Sequence, residues 1–443
     1  MHTLPSYHKI WKISYPIILS LLAQNIVAVT DTAFLGRVGE VELGASAIGG
    51  LFYYVLFMLG FGFGTGTQIL IGRRNGEKQF GEIGRIFDQT LYVFVVMAII
   101  LVVVIKFSAP IFFKTFVSSP AIFEASVIFI QYRVWGLLFS FANVAFRAYY
   151  VGITSTKFLT YSSIIMAVAN IFLDYCMIFG NFGFPEMGIA GAALASTISE
   201  GLAAAFFFIA TFLDKRTKQF QLFRFPKFDK EIIIKTWNIS VYIMLQNFVS
   251  LAAWFMFFLI IERTGERPLA ISNIMRSIYM LLMLHIWAFS ATTNTLVSNA
   301  IGEGFSKNVP AIIGRVNKLS VLLTVLIMLV AGLMPDLLIK IYTNNPEIIN
   351  SSRPVFYIVI AALLPLALAV NWFSGVSGTA NTKAALSIEV VSIVLYLIYV
   401  YYVTFVVQAS LTFIWTSELV YSVLLGFFSY FYIRSGRWQK MKV

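Results

Sequence analysis

The sequence predicts an all-α integral membrane protein, with twelve transmembrane helices in two six-helix lobes that are parallel repeats of each other. Three observations predict this fold: an apolar composition, an uneven distribution of lysine and arginine, and an internal repeat. Of the 443 residues, 59% are hydrophobic and only 12% are charged, whereas soluble domains average roughly 45–50% and 25%. A water-soluble fold of this size cannot cover so much apolar surface, so lipid must solvate most of the chain.

Twelve apolar runs approach or exceed the ~20 residues that cross a bilayer as a helix. The first run is too long for a cleavable signal peptide, whose apolar region has about 7–15 residues, so it is the first predicted span. The runs lie at roughly 13–35, 45–71, 86–113, 122–150, 159–180, 188–213, 237–261, 268–298, 316–334, 354–377, 384–407 and 410–433.

Most of the 32 lysine and arginine residues fall in alternate connections between these spans. Basic loops stay in the cytoplasm during insertion, so the pattern predicts a multi-pass protein of the plasma (inner) membrane with both termini cytoplasmic. The net charge of +12 therefore sets topology, and no nucleic-acid partner is expected. Three histidines and one cysteine, widely spaced, make no metal-ligand cluster, so neither a metal nor another cofactor is predicted.

The second half of the chain repeats the turn motifs of the first half with an offset of 226 residues, or 222 near the start. Because six spans separate the matching positions, both halves enter the membrane in the same orientation. We expect a first lobe at 1–213, a basic cytoplasmic linker at 214–236 and a second lobe at 237–443. Two such lobes with a cleft between them favour a transporter over a channel or an enzyme. The matching pairs are 75–77 with 301–303, 119–120 with 345–346, 152–157 with 378–383, and 24–25 with 246–247.

Charged groups inside a bilayer are costly and are candidates for function. Asp31 in the first span and Asp174 in the fifth lie at nearly the same predicted depth. Gln24 is two turns from Asp31 on one helix face, and Asn170 is one turn from Asp174. Neighbouring carboxyl groups in an apolar cavity hold a proton more readily than carboxyl groups in water. These four side chains therefore predict a proton or cation site, unless they only hold the helices together by hydrogen bonds.

Pro16 also lies in the first span, where a proline either permits a bend or simply occupies the first helical turn. For seven further ionisable residues of the predicted spans we favour structural roles over functional ones. They are Arg133, Arg147, Glu200, Arg276, His285, Glu389 and Glu418.

The second lobe lacks acidic residues where the repeat would place partners of Asp31 and Asp174, near Ala253 and Val400. Ion coupling is therefore expected in the first lobe. Aromatic and amide residues of the second lobe suit a planar organic cation through cation–π contacts, although such residues are equally ordinary in packing. This predicted substrate cavity consists of Trp254, Asn273, Trp287, Asn294, Asn371 and Trp372.

Glycine, proline and polar residues at fixed positions of the first, second, fifth and sixth spans resemble those of the multidrug and toxic compound extrusion (MATE) family. The resemblance extends over the whole chain. The residues that carry the resemblance are Pro16, Gln24, Asp31, Phe34, Gly36, Gly39, Gly66, Gln68, Gly72, Asn75, Gly76, Asn170, Asp174, Gly183, Pro185, Gly188 and residues 191–197. The resemblance implies a MATE-like fold and drug export driven by inward H⁺ or Na⁺. It also implies a coupling role for Asp31, Asn170 and Asp174, a bend at Pro16, and a hydroxyl contribution from Ser196 or Thr197.

Two branches of the family differ in their acidic residues. This chain resembles the NorM-like branch less closely. That branch has acidic residues in the seventh and tenth helices, where this chain has Gln246 and Asn371. The sequence therefore favours the DinF-like branch, whose coupling lies in the first lobe.

The leading hypothesis is a secondary antiporter that exports drugs or metabolites, in particular organic cations, by alternating access as a functional monomer in the lipid bilayer. A lipid-linked oligosaccharide flippase of the same superfamily is an alternative, but its pyrophosphate needs a basic cavity and the spans hold few cations. An integral-membrane prenyl transferase needs clustered aspartates, and no Asp-x-x-Asp motif occurs. The sequence leaves open the substrate and the choice between H⁺ and Na⁺.

Overall fold

The structure is a computed structural model that describes residues 4–440, and this part of the chain contains fifteen α-helices. Residues at the outer ends of the predicted lobes, among them His2 and Lys442, lie outside the described residues. The helices are α1 (Tyr7–Val38), α2 (Glu40–Gly76), α3 (Phe80–Phe116), α4 (Pro120–Arg133), α5 (Gly136–Gly152), α6 (Lys157–Phe179), α7 (Gly188–Leu213), α8 (Lys230–Glu262), α9 (Glu266–Gly302), α10 (Val309–Leu333), α11 (Pro335–Lys340), α12 (Pro346–Gly378), α13 (Thr382–Tyr401), α14 (Leu411–Ile414) and α15 (Ser417–Arg434).

The predicted all-α fold with twelve spans is confirmed within the described residues. Eleven segments are long and apolar enough to cross a membrane, and α4 and α5 together make a twelfth span that bends by 50°. A π-helical turn, Tyr402–Val406, extends α13. Several helices begin before the apolar runs that predicted them, because a helix can continue past the hydrocarbon layer into the headgroup layer. Thus α8 begins at Lys230 and α10 at Val309.

The described chain divides into two compact units. The first unit is Pro16–Ser240, and the second runs from Val241 onward and also includes the described residues before Pro16. The division therefore cuts within α1 and α8. The predicted linker at 214–236 contains a short 3₁₀ helix, Lys215–Phe220, and its last residues form the start of α8.

In the first unit, α6 and α7 form a close helical hairpin. Gly180 ends α6 in the left-handed conformation, with φ of 71°, where glycine has no steric penalty. Gly191 of α7 faces the backbone carbonyl of Met177 on α6, and a Cβ atom at this position would collide with it. The two helices of the hairpin can therefore approach each other closely. The hairpin carries Asn170, Asp174 and the hydroxyl residues of α7.

In the second unit, the N-terminal residues and the aromatic core are held by specific bonds. Arg315 of α10 donates to the backbone carbonyls of Leu4 and Pro5, at 3.3 and 3.1 Å. The hydroxyls of Ser14 and Thr292 lie 2.8 Å apart. The fully buried Trp415 donates its indole N–H to Ser272 of α9 at 3.1 Å, which satisfies the one polar atom of that large side chain.

A network of backbone bonds ties the connection before α8 to α3. The carboxylate of Asp88 is completely buried and accepts the backbone N–H groups of Phe223 and Phe225 at 3.0 and 2.9 Å. The amide of Gln89 donates to the carbonyl of Lys227 and accepts from the N–H of Asp229. The linker is therefore an ordered strap on the first unit, although its basic composition alone indicates only an exposed loop.

Replacing Asp88 by alanine should leave two backbone N–H groups of the linker without their acceptor, and a buried N–H group without a partner costs about 1–3 kcal/mol. We expect Asp88→Ala to lower the thermal unfolding midpoint by several degrees and to expose residues 214–229 to protease before the rest of the chain unfolds. Both are measured on protein purified in detergent. Asp336→Ala is the matched control, because Asp336 forms an exposed pair with Arg353. An unchanged midpoint and unchanged cleavage in Asp88→Ala would show that the strap is not held by this carboxylate.

Candidate functional site

A line of polar side chains joins α1 and α6 inside the first unit. The Thr160 hydroxyl donates to the carbonyl of Pro16 at 3.1 Å, and the Ser20 and Ser163 hydroxyls lie 2.5 Å apart. Residues 160, 163, 170 and 174 recur at helical spacing and so lie along one face of α6. The α1–α6 seam is therefore polar along much of its length, whereas most helix faces of a membrane protein are apolar.

The predicted carboxyl groups meet at one end of this seam. Asp31 of α1 and Asp174 of α6 interact directly, and Asp174 is completely buried. Ser196 of α7 donates to Asp31 at 3.5 Å and accepts from the amide of Asn170 at 3.3 Å. The structure thus brings together four of the predicted site residues, and Ser196 is the hydroxyl of the sixth span that takes part.

Several oxygen atoms at this site have no donor among the described residues. They are one carboxylate oxygen of Asp31, both carboxylate oxygens of Asp174 and the amide oxygen of Asn170. Two carboxylates attract each other only when a proton or a cation lies between them, because like charges repel. A proton, a cation or a water molecule bound here would supply what these oxygens lack, since a buried oxygen without a partner is costly.

A buried ion pair lies next to the carboxyl groups. Arg133 of α4 binds Glu200 of α7 with two bonds of 2.8 and 2.5 Å. The guanidinium lies over the ring of Tyr53 at 3.8 Å, and the Tyr53 hydroxyl donates to Glu200 at 3.3 Å. Both Arg133 and Glu200 interact electrostatically with Asp31. The structure therefore places one positive and one negative charge beside the carboxyl groups, and the structural role that the sequence favours for Arg133 and Glu200 stays a prediction.

The remaining predicted residues of the first unit lie away from the carboxyl groups. Gln24 is exposed, and its amide contacts Ser20 at 3.4 Å. The hydroxyl of Thr197 is buried and donates to the carbonyls of Ala193 and Tyr132. Pro16 lies nine residues after the start of α1, so it interrupts the helix interior and does not occupy the first turn.

The predicted cavity residues of the second unit mostly take part in packing. Trp254 packs against Phe258 and Tyr279, and Trp372 packs edge-on against Tyr430. The amide of Asn273 donates to the carbonyl of its own helix at Leu269. Trp287 keeps 38% of its surface exposed, whereas Asn294 is buried.

Asn371 is completely buried in a polar cluster of the second unit. Its amide group donates to the side chain of Asn317 at 2.9 Å and accepts from Thr293 at 3.2 Å. This network satisfies its hydrogen-bonding groups without a ligand. The same applies to His285, whose ring nitrogen lies 2.8 Å from the Thr324 hydroxyl.

Two arginines inside spans lie over aromatic rings. The guanidinium of Arg147 is 4.9 Å from the ring centre of Phe61, and that of Arg276 is 5.1 Å from Phe258. Such cation–π contacts stabilise a charge that has left water. Among the described residues, no group of three histidine, cysteine, aspartate or glutamate side chains is arranged to hold a metal ion.

The sequence interpretation missed Ser20, Thr160, Ser163 and Tyr53. A signal for the first three was present, since hydroxyl residues spaced by three or four positions in two apolar helices indicate facing polar stripes. Tyr53 could not be assigned in this way, because its role depends on the rotation of α2 about its axis.

Comparison with known proteins gives two matches to one family model, described as MatE, at residues 16–176 and 240–402. The matches begin 224 residues apart and end 226 residues apart, which is the spacing of the internal repeat. A curated relative is the "Probable multidrug resistance protein NorM" of Thermotoga maritima. It is 25% identical over 442 residues, which cover 98% of this chain and 93% of that protein.

Solved structures share the fold at low sequence identity. A MOP superfamily transporter from Pyrococcus furiosus superposes with a TM-score of 0.90 at 15% identity, over 98% of this chain and 97% of that chain. A mutant of a Vibrio cholerae MATE transporter superposes with a TM-score of 0.88 at 16% identity, over 98% of each chain.

The family model accounts for both halves of the molecule and for most of its length. The predicted family and fold class are therefore confirmed, and so is the prediction that the chain is not an enzyme. This chain belongs to the MATE family and is a multi-pass membrane transporter of small molecules.

Proposed function

We propose that this transporter is a secondary antiporter, which exports drugs or metabolites while H⁺ or Na⁺ moves inward. The observation that carries the proposal is the interaction of the Asp31 and Asp174 carboxyl groups inside the protein, where three of their four oxygen atoms have no hydrogen-bond donor among the described residues. Such a pair binds one positive charge far better than none, so its occupancy can respond to an ion gradient.

The coupling step follows from where these carboxyl groups lie. Asp31 belongs to α1 and Asp174 to α6, so a cation between them draws α1 onto α6, and its release lets α1 move away. Asn170 and Ser196 orient the pair, while Gln24 and Thr197 have lesser roles. Pro16 provides a point of bending, because a proline cannot donate the helical N–H bond. Antiport results when the cation and the substrate favour different states of the protein in alternating access.

The substrate class and the membrane setting extend this proposal. The curated relatives are named for multidrug resistance, and the exposed ring of Trp287 suits organic cations. The basic loops favour the plasma membrane with both termini cytoplasmic. One chain contains both repeats, so a monomer suffices. The proposal also assigns this chain to the DinF-like branch, because coupling through Asp31 and Asp174 needs no acidic residue at the positions of Gln246 and Asn371.

The proposal is tested by ethidium transport in liposomes, first under an imposed pH gradient and then under an imposed Na⁺ gradient. We expect one of the two gradients to drive transport in the native protein. Asp31→Asn and Asp174→Asn should each reduce driven transport by at least tenfold, because an amide cannot bind a proton or replace a carboxylate charge.

Glu186→Gln is the matched control, since Glu186 is an exposed carboxyl just beyond α6. It should transport at the native rate. Native rates in both aspartate variants would contradict the proposed coupling site. If neither gradient drives transport of ethidium or of any member of an organic-cation panel, the antiport itself is contradicted.

The Arg133–Glu200 pair gives a second prediction. In Glu200→Gln the Arg133 charge is no longer compensated and acts more strongly on Asp31, so cation binding should weaken. We expect the H⁺ or Na⁺ concentration for half-maximal transport to rise ~10-fold, equivalent to about 1.4 kcal/mol. The measurement is the ion dependence of transport in liposomes.

A double variant separates charge from packing. Arg133→Gln with Glu200→Gln removes both charges and should return the ion dependence close to that of the native protein. If the double variant is shifted as far as Glu200→Gln alone, the effect comes from lost packing and the electrostatic role of the pair is wrong.

A further inference from the structure

Two acidic residues of the second unit are buried in spans. Glu389 of α13 is 2% exposed and Glu418 of α15 is 5% exposed. One carboxylate oxygen of Glu389 accepts from the hydroxyls of Ser250 and Tyr421, both at 2.8 Å. Glu418 accepts from the hydroxyl of Tyr396 at 3.3 Å. All hydrogen-bond partners found for these two carboxyl groups are hydroxyls, which are neutral.

No ion pair of the described chain includes either glutamate. The second carboxylate oxygen of Glu389 is buried and has no donor among the described residues. An ionised carboxylate in this position would be an uncompensated charge in a medium of low dielectric, which costs several kcal/mol. A carboxylic acid that carries its proton on this oxygen avoids the cost.

The titratable groups that face the two carboxyls among the described residues come from three helices and are tyrosines. Tyr279 lies on α9, Tyr396 on α13 and Tyr421 on α15. Tyr421 bonds to Glu389 and also interacts with Glu418, and its ring packs against that of Tyr396 at 5.8 Å. The hydroxyl groups therefore connect the two carboxyl groups into one cluster.

The cluster lies on the equivalent seam of the repeat. With the 226-residue offset, Glu389 corresponds to Ser163, which bonds to Ser20 across the α1–α6 seam. Glu389 bonds to Ser250 of α8, so it joins the first and fifth helices of the second repeat in the same way. The same pair of helices thus holds polar groups in both units, with a carboxyl in the second where the first has a hydroxyl.

We propose that Glu389 and Glu418 form a second proton-binding site of this transporter, with Tyr421 joining the two carboxyl groups. A hydronium ion transfers its proton to the free oxygen of the Glu389 carboxylate: one O–H bond of hydronium breaks, an O–H bond forms on Glu389, and water is released. Tyr421 keeps its own proton. This inference deepens the proposed antiport, and the use of the bound proton in transport rests on that proposal. Proton binding at these glutamates is measured separately from transport, so the two proposals can fail independently.

The test is infrared spectroscopy of the full-length protein in detergent, with glutamate side-chain carboxyls labelled with ¹³C. The C=O band of a neutral glutamic acid shifts on labelling, whereas bands from Asp31 and Asp174 do not. At neutral pH we expect a labelled acid band in the native protein and also in the Asp31→Asn, Asp174→Asn double variant. Glu389→Gln should remove most of the band, and adding Glu418→Gln should remove the rest.

Two variants complete the test. Glu303→Gln is the matched control, because Glu303 is an exposed carboxyl of the same unit, and it should keep the full band. Tyr421→Phe keeps the ring and the carboxyl but removes one hydrogen bond, so the C=O band should move to higher frequency. This result stands even if Glu389→Gln folds poorly. Absence of a labelled acid band in the native protein, or an unshifted band in Tyr421→Phe, would overturn the proposal.

Discussion

In a bilayer no water is available to bond the N–H and C=O groups of the backbone, and the rest of this structure depends on that constraint. It makes almost the whole described chain helical, and it also governs polar side chains in the spans. Many of the buried threonines return their hydroxyl to a carbonyl one turn back, as Thr67, Thr292 and Thr324 do. Since ordinary polar side chains are satisfied locally in this way, the side chains that remain unsatisfied mark the places where the fold accepts a cost.

Burial alone does not identify such places. Asp88 is as completely buried as Asp174, yet two backbone N–H groups of the linker bond to its carboxylate, so its charge is used to order a strap. Asp174 has no such donors, and its neighbour Asp31 carries a charge of the same sign. In the proposed mechanism Asp88 is therefore a structural acid, whereas Asp174 takes up a proton or a cation. The supply of hydrogen-bond donors distinguishes the two carboxylates.

The sequence predicted twelve spans, the parallel repeat and the meeting of Asp31, Asn170 and Asp174, because span length, basic loops and depth along a helix can be counted from residue numbers. It did not predict the 50° break between α4 and α5, although Gly136 follows Val134 and Trp135 at the break, because glycine is common inside membrane-spanning helices. It also could not pair Arg133 with Glu200, because contacts between helices depend on how each helix rotates about its axis. Gln24 shares a helical stripe with Asp31 but bonds to Ser20, since two turns separate it from the carboxyl group.

The two repeats share helix order but differ in how their chemistry is distributed. The positions equivalent to Asp31 and Asp174 lie near Ala253 and Val400, which are buried and apolar. Apolar side chains therefore pack in the second unit where the first unit has its carboxyl pair. With the 226-residue offset, Glu389 corresponds to Ser163 and Glu418 to Ala192, and the hydrogen bonds found for both glutamates come from hydroxyls. In the first unit, Arg133 and Glu200 add charges that act on Asp31, and the second unit offers its glutamates no such pair. The protonation of an acid without charged neighbours depends mainly on the local proton activity. The protonation of the aspartate pair also depends on the charges of the ion pair beside it.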